Sequence, residues 1–287
     1  MKYGAIFPQY EVGSDIENIR KFMLSVEAMG YDYVLAYDHV LGANPERDYE
    51  WTGPYTHQTQ FHEVFSLFSY AAAITTKLEF ATGILILPQR QTALVAKQAA
   101  QVDLFSNGRF RLGVGVGWNQ VELEGLGEEF STRGRRSAEQ VEVLQLLWQN
   151  ELVTFDGEFH HLDDVGINPL PIQRPIPVWF GGGADAVLKR MAKYGAGWMP
   201  GGMALDRVQP RLEKLHGYLE AEGRNPADFG IDPFVSLARI DEDEQLAYID
   251  QWQSLGATHA SILSMHDGFT TVDEHLAALE KFIKKVK

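Results

Sequence analysis

Asp38 and His39 follow directly on a short apolar run, Tyr33 to Tyr37, and carry the clearest acid/base signal in the chain. An imidazole, with an unperturbed pKa of about 6.5, can hold or release a proton at neutral pH. A lone histidine can equally hydrogen-bond loop backbone and take no part in chemistry. The position of His39 at a strand exit, beside Asp38, makes it the catalytic candidate.

Two groups of glycines suggest ligand binding. In Phe110 to Trp118, FRLGVGVGW, strand alternation points Phe110, Leu112, Val114 and Val116 one way and leaves Gly113, Gly115 and Gly117 on the other face. Glycine in a strand forfeits packing, so this spacing marks either a tight bend or a flat molecule lying against the backbone. Gly181-Gly182-Gly183 lies between an apolar run and a helix, where free N–H groups and the helix dipole can cradle an anion. A flexible turn without a ligand accounts for that pattern as well. Neither group is a nucleotide fingerprint: Gln120 stands where a third dinucleotide glycine belongs, and Gly183 leads into Ala184-Asp185 rather than Lys-Ser/Thr.

Arg90, Arg133, Arg135, Arg136 and Arg239 can anchor anionic groups or be solvated surface charges. Tyr49, Trp51, Tyr55 and Phe61 lie in a long irregular stretch, 42–62, of the length expected for a lid or binding loop, though ordinary packing explains them too. No metal site is expected, because His160 and His161 are adjacent on a strand and face opposite ways.

These residues need elements to hold them. Apolar runs at Tyr3 to Phe7, Tyr33 to Tyr37, Leu78 to Leu87, Phe110 to Trp118, Pro177 to Phe180, Gly197 to Met199, Ile231 to Ala238 and Ala257 to Leu263 read as eight strands. Helical spacing follows each in turn, near 15–29, 63–74, 93–105, 135–149, 185–194, 206–222, 242–255 and 272–285. Two insertions lie after the second and fourth strands, and a small hairpin turning at Asp156-Gly157 precedes the fifth. Eight alternations predict an α/β fold, a (β/α)8 TIM barrel formed by residues 1–287 as one domain, with an open doubly wound sheet as the alternative. A barrel places the active site at the strand exits, where Asp38, His39, Gly117 and Gly181 lie.

The composition narrows the function. A net charge of −14 across 287 residues disfavours nucleic acid and acidic membranes as partners. It also requires local arginines or helix N-termini for any anionic ligand. The absence of cysteine excludes disulfides, iron–sulfur clusters, zinc thiolates and a thiol nucleophile. The N-terminal apolar run carries one basic residue, Lys2, and is cut at Pro8, unlike a signal peptide. The longest apolar runs are of strand length. A cytoplasmic protein is expected.

Ala81-Thr-Gly-Ile-Leu-Ile-Leu-Pro-Gln-Arg90, Leu94-Val-Ala-Lys-Gln-Ala-Ala100 and Gly108-Arg-Phe-Arg-Leu-Gly-Val-Gly-Val-Gly-Trp118 together resemble the luciferase-like monooxygenase superfamily. The likeness continues through Glu122, Gly127, Phe130, Arg133 to Arg136, Val178 to Gly182 and Tyr194 to Pro200. In detail it is most similar to the branch that uses the deazaflavin coenzyme F420. That resemblance implies a barrel holding a flavin or deazaflavin across the strand ends, hydride transfer to or from a small-molecule substrate, and a homodimer. It places Asp38 and His39 beside the ring, with His39 the proton donor or acceptor. It places Gly83 and Ile84 at a third-strand bulge backing the ring through a non-proline cis peptide. Gly115 and Gly117 approach the cofactor, Asn119 contacts it, and Gly181 and Gly182 lie near its phosphate. FMN, supplied reduced by a separate reductase, is the alternative cofactor and would make the chain a monooxygenase; a non-catalytic flavin-binding barrel is a further alternative. Trp118 occupies the place of a catalytic glutamate in the family's sugar-phosphate dehydrogenases, which argues against glucose 6-phosphate as substrate.

Overall fold

The computed structural model describes residues 1–47 and 51–287. The chain begins with β1 (Lys2–Ile6), α1 (Ile16–Ala28) and β2 (Tyr33–Ala36). It continues through α2 (Val64–Ile74), β3 (Glu79–Thr82), β4 (Leu85–Ile86), α3 (Thr92–Phe105), β5 (Phe110–Gly115), α4 (Gln120–Gly125) and α5 (Arg133–Gln149). An antiparallel hairpin follows, β6 (Val153–Asp156) and β7 (His161–Val165). The second half is β8 (Val178–Gly181), α6 (Asp185–Tyr194), β9 (Gly197–Gly201), α7 (Leu205–Ala221), β10 (Gly230–Ser236), α8 (Gln245–Ser254), β11 (His259–Leu263) and α9 (Val272–Val286).

The parallel strands form a closed ring: β1 pairs with both β2 and β11, and β3 pairs with β5. Closure excludes the open sheet and gives the eight-staved (β/α)8 barrel. The third stave is not the continuous run Leu78 to Leu87. It divides into β3 and β4 at the cis peptide Gly83-Ile84, and β4 pairs with β5. The sixth strand, whose run is short in sequence, is fully formed as β9. The insertion after the fourth stave contains a helix of its own, α4.

Each stave is buried on two sides, which is why it reads as an apolar run rather than an alternation. Along β2, Val34 and Ala36 pack outward in the main core, while Tyr33 and Leu35 join Trp179, Met199 and Met265 in the lumen. Along β5, Phe110, Leu112 and Val114 pack outward. The helices are started by local chemistry. Asp15 accepts the Glu17 N–H at the head of α1, and Thr271 and Glu274 form a reciprocal capping box on α9.

At the N-terminal end of the lumen the barrel carries a buried polar knot. Asp232 lies 2.6 Å from Arg111 Nη2 and accepts the Tyr33 and Ser261 hydroxyls at 2.8 and 2.9 Å. The Arg111 guanidinium rests 4.0 Å above the Tyr33 ring, a cation–π contact. Burial raises the Asp232 carboxyl above its ordinary range, against the pull of Arg111 and the two hydroxyls. Among the described residues, no helix is long and apolar enough to cross a membrane, and no group of three or more His, Cys, Asp or Glu is placed to hold a metal ion.

Candidate active site

The exit of β2 delivers Asp38 and His39 to the C-terminal mouth of the barrel. Asp38 is fully enclosed. Its Oδ1 lies 2.7 Å from Arg90 Nη2, and its Oδ2 accepts the Ile86 N–H at 3.0 Å. Arg90 also reaches Glu63, at 3.2 Å. Burial raises the Asp38 carboxyl, opposed by Arg90 and the Ile86 N–H. Asp38 thus ties the exit of β2 to β4, and both its oxygens are committed within the chain.

His39 is held differently. Its Nδ1 lies 2.7 Å from Glu122 Oε2. The other Glu122 oxygen accepts the N–H groups of Val40 and Leu41 at 2.5 and 3.3 Å and the Gln89 amide at 3.2 Å. Burial pushes the Glu122 carboxyl up, but His39 and the two backbone donors outweigh it and leave the group below the usual range. An ionised acceptor assigns the proton to His39 Nδ1. Nε2 has no hydrogen-bond partner among the described residues. Asn119 Oδ1 accepts the Glu122 N–H at 3.2 Å as the cap of α4, and its Nδ2 lies 3.4 Å from Glu122 Oε2. Asn119 therefore supports the His39–Glu122 pair.

A cavity of about 280 Å³ is lined by Asp38, His39, Gly83, Ile84, Ile86 and Gly117 together with Tyr37, Tyr55, Trp118, Phe234 and His266. Five of the residues singled out by sequence, Asp38, His39, Gly83, Ile84 and Gly117, are brought together here. Gly115 and Gly181 stand just behind: a Cβ on Gly115 would lie 2.2 Å from Ile84 Cδ1, and one on Gly181 2.9 Å from Ile84 Cγ2. The bare face of β5 thus makes room for the Ile84 side chain, which lines the cavity. Gly117 adopts φ +74°, a left-handed conformation that favours glycine.

Gly182, with φ +92°, has no atom within 4 Å of where a Cβ would stand. Its carbonyl accepts the Trp198 indole N–H at 2.5 Å. α6 opens immediately afterwards, and Ala184 provides no side-chain cap for its first N–H groups.

The candidate arginines are mostly paired within the chain or exposed. Arg90 is bound to Asp38 and Glu63, Arg135 to Glu158, and Arg136 to Glu128. Arg133 donates to the carbonyls of Phe130 and Gly117 and stacks on the Phe130 ring, while Arg239 is exposed. Of the loop aromatics, Tyr49 lies outside the described residues. Tyr55 and Phe61 pack against His39, with ring centroids 5.0 and 4.8 Å away, and Trp51 packs against Trp118 at 5.8 Å.

Sequence reasoning assigned no role to Glu122, Tyr37, Phe234 or Tyr10. The spacing Asn119-x-x-Glu122 is a helix-start signal that could have drawn attention to Glu122. Tyr10 OH lies 2.8 Å from His266 Nε2, and Glu11 accepts the His266 N–H at 3.0 Å. These contacts join the exits of the first and last staves.

An FMNH2-dependent dimethylsulfone monooxygenase from Pseudomonas putida is 30% identical over 239 residues, 82% of this chain and 62% of that protein. The chain therefore spans less than two thirds of that relative's length. Among solved structures, a monooxygenase from Streptomyces bottropensis superimposes with a TM-score of 0.83 at 19% identity, covering 99% of this chain and 98% of that one. An F420-dependent secondary alcohol dehydrogenase superimposes with a TM-score of 0.80 at 17% identity, covering 100% and 99%. At these identities the likeness to the solved structures is one of fold. The luciferase-like monooxygenase family matches residues 3–284, and the chain belongs to it.

Proposed function

We propose that this chain is a flavin-dependent oxidoreductase that binds reduced FMN across the strand exits and oxygenates a small organic substrate. The observation that carries the reading is His39, fixed through Nδ1 by a buried carboxylate and lining the cavity behind which Ile84 spans from β5 to β8. The FMNH2-dependent relative supports FMN over F420.

The residues present fit such a cofactor. Gly83, Ile84, Ile86 and Gly117 form a largely apolar stretch on which a flat ring can rest, with Asp38 tying it in place. The open space at Gly182 and the uncapped start of α6 suit a phosphate. Bound reduced FMN would supply the electrons with which oxygen is activated. The chain supplies orientation and proton control. His39 can accept or donate a proton at Nε2, while Glu122 holds the ring in one orientation through Nδ1. Tyr55 and Trp118 pack their rings against His39. A separate reductase, a homodimeric state and a cytoplasmic location belong to this proposal as family and compositional expectations.

The test is a parallel anaerobic titration with reduced FMN and reduced F420, followed by oxygen-dependent turnover. FMN should bind at least about tenfold more tightly. His39→Ala should lower turnover by about a hundredfold or more while still binding FMN. Tighter binding of F420, with hydride transfer that needs no oxygen, would replace this reading with the deazaflavin one.

A further inference from the structure

Every charged side chain that lines the cavity is already matched by another group of the chain. Asp38 is spent on Arg90 and the Ile86 N–H, and His39 Nδ1 on Glu122. His266 Nε2 is bonded to Tyr10, and the nearby Glu11, which is not among the lining residues, accepts the His266 backbone N–H. The phenols add no charge. Burial, reinforced by neighbouring Tyr55 and Tyr10, pushes Tyr37 well above its ordinary range, and burial raises Tyr55. The remaining lining is largely aromatic. Trp118 and Tyr55 pack beside His39 at 5.8 and 5.0 Å, and Tyr37 pairs with Phe234 at 5.9 Å.

An ionic substrate entering this space would lose its hydration without gaining a counter-charge, which opposes binding. The aromatic walls alone would welcome a cation. A cation cage gains most from an unpaired carboxylate, however, and none faces this cavity among the described residues.

We propose that the substrate is an uncharged molecule with one planar apolar face and one hydrogen-bonding group. The apolar face packs against Trp118 and Phe234, and the polar group meets His39 Nε2 or the Tyr10–His266 pair. This rests on the flavin-dependent reading of the same cavity and specifies the substrate class that reading leaves open.

Three probes of similar shape and different charge test it: acetophenone (neutral), benzoate (anionic) and benzamidine (cationic, protonated at neutral pH). Each is measured by equilibrium dialysis against the purified protein, with and without saturating FMN. Acetophenone should bind at least about tenfold more tightly than either ion. Trp118→Arg, at a position that is 43% exposed and so tolerates the longer side chain, should reverse the order in favour of benzoate. Tightest binding by benzamidine would show a cation cage, tightest binding by wild-type benzoate a hidden anion site, and binding by none of the three the wrong shape class; each result overturns the proposal. FMN binding is read separately from flavin absorbance. Selective acetophenone binding without FMN binding would sink the flavin reading alone, whereas FMN binding with the wrong probe order would sink only the substrate class.

Discussion

Glu122 and His39 are 83 positions apart in sequence and meet at 2.7 Å, with the second Glu122 oxygen anchored on the two N–H groups that follow His39. One carboxylate therefore sets the orientation of the imidazole and the path of the backbone that carries it.

Glu122→Gln should lower turnover and cost about 1–3 kcal/mol of stability at pH 7, the value of hydrogen bonds to a charged group. Its carboxyl lies below the ordinary range in the folded protein. The stability it contributes is therefore present above the unfolded carboxylate pKa and lost as pH falls through the folded one. Thermal unfolding of wild type and variant from pH 7 to pH 3.5 should show the gap closing toward acid. A gap that widens there would contradict the assignment.

Asp38 and Arg90 form an enclosed pair, so removing one partner strands the other. Arg90→Met should destabilise the protein by about 3–5 kcal/mol, as read from the urea midpoint at constant slope. Because Asp38 also holds the Ile86 N–H, flavin affinity should fall with it. A variant as stable as wild type would mean that the pair is solvated.

The glycines of β5 differ in what a methyl group would meet. At Gly113 it would lie 2.0 Å from the Thr82 carbonyl oxygen, which is backbone, whereas at Gly115 it would meet the tip of the Ile84 side chain. Gly115→Ala should cost about 1–3 kcal/mol, the range for overpacking, and Gly113→Ala more. Adding Ile84→Val, which removes the clashing Cδ1, should recover part of the Gly115→Ala loss and none of the Gly113→Ala loss. Equal rescue of both would refute the distinction.

His259 is a base held far below its usual range, at about 2, by burial and by the charges of Arg111, Lys2 and the N-terminus. The unfolded chain takes up a proton at this residue below pH of about 6.5, while the folded chain does not. Wild type should therefore lose stability as pH falls from 6.5, by at most about 1.4 kcal/mol per unit and by less because the ring is only partly buried. His259→Gln removes this dependence, so the Tm difference between the two should shift toward the variant between pH 7.5 and pH 5. No shift would place His259 in solvent.

The eight staves were legible because strands covered on both faces become apolar runs, as in Tyr33 to Ala36. The break in the third stave was legible through the family resemblance, which places a bulge at Gly83-Ile84, and not in the run Leu78 to Leu87 itself; the packing that goes with it, Ile84 lodged against Gly115 and Gly181, is tertiary. At the site, Asp38 and His39 could be found from their place at a strand exit, but their partners could not. Arg90 has the residue type of an anion anchor, and only barrel closure shows that Asp38 and Glu63 already claim it. Glu122 becomes visible as a partner of His39 only when the barrel brings the exits of the second and fourth staves, with the third between them, to one mouth.

The knot at the floor of the lumen divides the chain's charges unevenly between its halves. Tyr33 and Arg111 come from the first four staves, Asp232 and Ser261 from the last four. In an N-terminal half-barrel the guanidinium would keep only Glu79, 4.0 Å away, in place of Asp232, and a C-terminal half would carry a buried carboxylate without its guanidinium. The two halves need each other electrostatically as well as geometrically, so ring closure is selected over a stable half, and a chain cut in the hairpin between them should recover its fold only by recombining both pieces.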